Sequence, residues 1–83
     1  MSESLIAERF GRQITLMRER RGISKVQLAR LAGVTRQKIA EVERGQTTVA
    51  LSYYCLVLSA LGCELEVVPS RLPTLEELQD VFV

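Results

Sequence analysis

Apolar residues recur at intervals of three and four along most of this chain, in separate stretches divided by glycines. Ile6, Phe10, Ile14 and Met17 share one phase, with Arg21 at the next position in it. This spacing predicts a helix from about Ser4 to Arg21, ended by Gly22. Arg18, Arg20 and Arg21 fall in its last turn, where cations suit the carbonyl end of a helix. Leu28, Ala29 and Ala32 start a second stripe over 25–32. Ile39 and Val42 start a third over 36–44, which Gly45 stops. Leu51, Tyr54, Leu58 and Leu61 point inward from a fourth over 50–61, which Gly62 closes. Gln46-Thr47-Thr48 reads as a short polar loop.

The second and third stretches are punctuated in detail. Ser24 and Gln27 have capping-box spacing, so the second helix starts at about residue 25. Ala29 is small where two helices must approach. Gly33 supplies a left-handed turn residue at low steric cost. Val34 packs under the turn, and Thr35 is suited to cap the next helix. Arg36, Gln37, Lys38, Ala40 and Glu41 remain on or near the face that Ile39 and Val42 leave free. Two short helices joined by a tight turn, the second with long polar side chains outward, make a helix-turn-helix, whose second helix fits the DNA major groove.

After Gly62 the period changes. Cys63-Glu64-Leu65-Glu66-Val67-Val68 alternates and ends in β-branched residues, which predicts a strand bounded by Gly62 and Pro69. A lone strand cannot satisfy its own backbone. Antiparallel pairing with the same strand of a second copy resolves this; an irregular extended tail or a fifth helix are the alternatives. Beyond Pro69 and Pro73, Thr74 and Glu77 repeat the capping-box spacing and predict a short helix over 75–81. Leu75, Leu78, Val81 and Phe82 lie along it, either packed on a dimer or as a docking segment for another protein.

Composition narrows the chemistry. At 83 residues with 47% hydrophobic content, a single domain is expected, with some apolar surface left for a subunit interface. No segment reads as a signal peptide, and no apolar run approaches the ~18 residues that span a bilayer, so a cytoplasmic location is expected. There are no histidines, and the two cysteines, Cys55 and Cys63, lack C-x-x-C spacing. No metal site, cofactor or catalytic centre is expected. The cysteines read as small buried apolar residues, or as redox-sensitive thiols with Cys63 near a two-fold axis. The net charge of +1 conceals an asymmetry: residues 1–48 hold ten Lys/Arg against five Asp/Glu, and residues 49–83 hold one Arg against five. A basic front and an acidic rear suit a protein that meets a polyanion with one face and a protein with the other.

The set Arg18, Gly22, Leu28, Ala29, Gly33, Val34, Ile39, Glu43 and Gly45, with Leu-Gly at 61–62, resembles the Cro/lambda-repressor-like (XRE) family over roughly residues 8–62. Two positions depart from that pattern: Lys25 stands where Gln is usual, and Val49 where Pro is usual. The resemblance implies a mainly α fold, a lambda-repressor-like bundle of four to five helices, with the strand added at the C-terminal side. Residues 1–62 would form the DNA-binding domain and 63–83 its dimerisation strand and tail. It further implies base contacts from Arg36, Gln37 and Glu41. Phosphate contacts would come from Ser24, Lys25, Thr35, Lys38, Arg44, Thr47 and Thr48, and Arg18 and Glu43 would form a structural ion pair. The expected partners are double-stranded DNA carrying an inverted repeat and a second copy of the chain. The layout is also similar to that of HipB-type antitoxins, which implies a HipA-like kinase toxin as a further partner. A phage-type repressor, a restriction-modification controller and an interaction module that does not read DNA are the alternatives.

Overall fold

The computed structural model describes residues 2–69. Four helices follow one another: α1 Glu3–Arg20, α2 Lys25–Ala32, α3 Arg36–Glu43 and α4 Leu51–Ala60. Each lies within a residue of its predicted bounds. Local chemistry accounts for the starts. Ser2 Oγ accepts from the Leu5 amide at the head of α1. At α2 the capping box is complete: Ser24 Oγ accepts from the Gln27 amide at 3.1 Å, and Gln27 Oε1 accepts from the Ser24 amide at 2.7 Å. Thr35 Oγ1 accepts from the Lys38 amide at 3.0 Å to open α3. Helix α4 differs, because its N-cap is Ala50 and no side chain satisfies its first amides.

Helix α2 packs on α3 and α4, and α1 packs on α3. Leu28, Ile39, Val42 and Val57 are wholly buried, surrounded by Ile14, Ala29, Ala32, Tyr54, Leu58 and Leu61. Phe10, Met17, Ile23, Val34 and Val49 close the edges of this core. Burying a side chain of this size fully stabilises the fold by about 1.5–3 kcal/mol, so the short α2 and α3 are held by packing and not by helix propensity.

Four expectations are corrected. Ile6 is 55% exposed, because the first turns of α1 run past the core that Ile14 enters. Leu51, expected inward, is 63% exposed, and Val57, which was not among the expected inward residues, is wholly buried. Cys55 is exposed and Cys63 partly so, and both are free thiols. The segment 63–69 carries no strand pairing, since a ladder needs a second strand and the described residues contain none. Leu65, Val67 and Val68 accordingly stand exposed. The expected helix over 75–81, with Leu75, Leu78, Val81 and Phe82, lies outside the described residues. No helix among the described residues is long and apolar enough to cross a membrane.

Candidate nucleic-acid interface

The turn between α2 and α3 fixes how α3 is presented. Gly33 adopts φ 72° and ψ 33°, the left-handed region. The Val34 amide then reaches the Ala29 carbonyl at 3.0 Å, which closes α2 and points the chain back. Two residues after Gly33, Thr35 opens α3, so only a short turn separates the two helices.

A polar anchor fixes the other end of α3. The Glu43 carboxylate receives Arg18 Nε at 2.7 Å, Arg18 Nη2 at 3.2 Å and the Thr15 hydroxyl at 2.9 Å. Arg18 Nη1 donates to the Ile23 carbonyl at 3.0 Å, tying in the loop before α2. The two charged side chains are only 11% and 5% exposed. The hydrogen bond to Glu43 is the largest cause holding the Arg18 guanidinium above its ordinary range. Removing one partner of a buried pair costs about 3–5 kcal/mol, because the other is left charged and unpaired. Beside this anchor the two backbones touch. A Cβ on Gly11 would lie 2.6 Å from the Glu43 carbonyl and 2.7 Å from the Gly45 nitrogen. One on Gly45, itself at φ 69°, would meet the Ala7 carbonyl.

With α3 held at both ends, its remaining face is open. Arg36 and Gln37 are exposed at its first turn, and Arg44, Thr47 and Thr48 are exposed just after it. Ser24 is exposed and Lys25 half-buried at the start of α2. The Ser24 and Thr35 hydroxyl oxygens are occupied as acceptors by the caps, which leaves each O–H proton able to donate outward. A cleft of about 320 Å³ separates Ser4 and Glu8 of α1 from Arg44, Gly45, Gln46, Thr47 and Thr48. The Tyr54 hydroxyl donates to the Gln46 carbonyl at 2.8 Å and steadies that loop. Burial pushes the Tyr54 phenol up from its ordinary value.

Lys38 and Glu41 are not free side chains. Lys38 Nζ lies 2.9 Å from Glu41 Oε1 and 4.6 Å from the centre of the Tyr53 ring. The hydrogen bond from Lys38 is the first cause that holds the Glu41 carboxyl below its ordinary value, and the same bond raises Lys38.

The model of the family described as helix-turn-helix domain matches residues 9–70, the span that holds the turn, the anchor and the open face. The chain belongs to the XRE-like helix-turn-helix family. An uncharacterized HTH-type transcriptional regulator from Haemophilus influenzae is 38% identical over 60 residues, which is 72% of this chain. The chain spans 61% of the length of that relative. The crystal structure of the restriction-modification controller protein C.AhdI from Aeromonas hydrophila superposes with a TM-score of 0.68 at 31% identity, covering 77% of this chain and 93% of that one.

Three residues of this helix-turn-helix unit escaped the sequence reading. Thr15 sits one turn before Arg18 on the same face of α1, and that spacing was its only signal. Gly11 interrupts an otherwise good helical run, which marks a close approach. Tyr53 belongs to α4, and nothing in its neighbourhood along the chain ties it to Lys38.

Proposed function

We propose that this protein is a sequence-specific regulator that binds double-stranded DNA with the outer face of α3. The observation that carries this reading is the pair Arg36 and Gln37, exposed at the first turn of a helix held at its far end by the Arg18–Glu43 anchor. Arg36 has the reach for a bidentate contact to guanine, and Gln37 for one to adenine; Glu41 accepts from cytosine. Ser24, Lys25, Thr35, Arg44, Thr47 and Thr48 flank that face and suit phosphate contacts, which set register without reading sequence. Lys38 leaves this set, because its ammonium already has an intramolecular partner on each side. The basic excess of residues 1–48 lies on the same half of the chain.

In this reading two copies act together on an inverted repeat, with their α3 helices ~34 Å apart. The exposed Leu65, Val67 and Val68 support residues 63–68 as the pairing segment. The likeness to a restriction-modification controller favours a stand-alone regulator of that kind. The acidic residues 49–83 favour a second reading, an antitoxin that also takes a HipA-like kinase toxin through Leu75, Leu78, Val81 and Phe82.

Selection of duplexes from a random pool tests the proposal. A palindromic consensus is expected. Arg36→Ala and Gln37→Ala should each cost about 1–3 kcal/mol and relax preference at one position of each half-site. If neither variant changes the selected sequence, α3 is not the reading element.

A further inference from the structure

The Lys38–Glu41 pair runs against the grain of its own helix. A Glu preceding a Lys complements the helix dipole, whereas here the cation is near the N-terminus and the anion near the C-terminus. Such a pair gains little from the helix and needs support from outside it. Tyr53 provides that support: its ring stands on α4, beyond the loop over 44–50, with the ammonium 4.6 Å from its centre. The electron-rich ring face attracts the cation. The Lys38 backbone amide is itself held by Thr35 Oγ1 at 3.0 Å, so the side chain starts from a fixed root. The Glu41 carboxylate is therefore met by a cation gripped from two sides, with Arg44 and the Gln37 side chain as its further neighbours.

We propose that Tyr53 is a specificity-positioning residue. Its ring holds the Lys38 ammonium against Glu41, so that Glu41 meets base edges in one pose and Lys38 takes no phosphate. This role rests on the DNA-binding reading above. Two consequences follow for the bound complex. A fixed carboxylate only accepts hydrogen bonds, so it welcomes the amino group of cytosine and repels the acceptor-rich edge of guanine. A lysine whose charge is matched within the protein adds no sequence-independent attraction to the phosphate backbone.

The test uses the full chain, the consensus duplex from the selection and a scrambled duplex of equal length, titrated between 50 and 200 mM salt. Tyr53→Leu keeps apolar bulk and removes the ring, whereas Tyr53→Phe keeps the ring. Tyr53→Leu is expected to lower the consensus-to-scrambled ratio about tenfold, as for the loss of one base-edge contact. Its binding to scrambled duplex should gain a steeper salt slope, by about 0.9 for each lysine released. Tyr53→Phe should follow the wild type, and Lys38→Met added to Tyr53→Leu should return the slope to its starting value. Carboxyl-resolved NMR gives a readout without DNA: Tyr53→Leu should move the Glu41 titration up toward the ordinary carboxylate value. If Tyr53→Leu matches the wild type in ratio, slope and Glu41 titration, the positioning role is overturned and the DNA reading stands. If the wild-type chain selects no duplex, the DNA reading falls and takes this role with it.

Discussion

At the scale of single residues, small groups decide most of the geometry. Gly11 is the clearest case. Alanine in its place would gain about 1 kcal/mol of helix propensity but drive a methyl into the Glu43 carbonyl and the Gly45 amide. Neither obstacle is a flexible side-chain end, so overpacking wins, at about 1–3 kcal/mol. Gly11→Ala should therefore lower the thermal midpoint, a result opposite to that of Gly→Ala in an open helix. Tyr54 yields a prediction in pH. The folded chain holds its phenol proton more tightly than the unfolded chain does, because burial disfavours the phenolate. That contribution is fully present below about pH 10 and is lost as pH rises through the raised folded value. The stability difference between wild type and Tyr54→Phe should accordingly shrink in denaturant melts taken above about pH 10. At neutral pH the variant should be less stable by about 1 kcal/mol, for the hydrogen bond to Gln46.

At the scale of elements, helix ends were the part most fully written in the sequence, because a cap is a local event. Ser24 with Gln27, Gly33, and Thr35 each act within a few residues of themselves. Burial was less legible. Periodicity gives a helix its apolar face but not how far its neighbours extend, so Ile6 carried the right phase on a stretch of α1 that lies beyond the core and leaves it 55% exposed. In α4 apolar residues lie on every side, so the phase was ambiguous, and Leu51 was placed inward instead of Val57. The strand expected over 63–68 depended on a second chain, which no single-chain pattern contains. The Arg18–Glu43 pair came to notice through family resemblance; its geometry joins residues 25 apart. The bare N-terminus of α4 suggests an improvement. Ala50 has extended φ and ψ of −61° and 145°, which serine adopts freely. Ala50→Ser should add about 0.5–2 kcal/mol by accepting one of the orphan amides, measurable as a rise in the urea midpoint with an unchanged slope.

At the scale of the whole molecule, charge is segregated by halves of the chain. In the DNA-binding reading, Lys25 and Arg44 contribute to affinity for every sequence alike. Replacing either with alanine should weaken binding to consensus and scrambled duplexes by the same factor and lower the salt slope by about 1. An unchanged slope in both variants would remove them from the contact set. Sedimentation at graded concentrations addresses the pairing segment. A dimer that is lost when Val67 is replaced by Lys is the expected result, and a wild-type monomer at every concentration would leave two-fold recognition without a basis.

The seam where α1 crosses the end of α3 has one more consequence. Main chain lies on main chain there, at Gly11 and Gly45, so the joint has no rotamers to reshuffle and no lever arm through which to adjust by degrees. It is either seated or parted. Amide exchange along α3 should then report the same opening free energy as the middle of α1, and the reading helix should never loosen while the rest of the body stays intact.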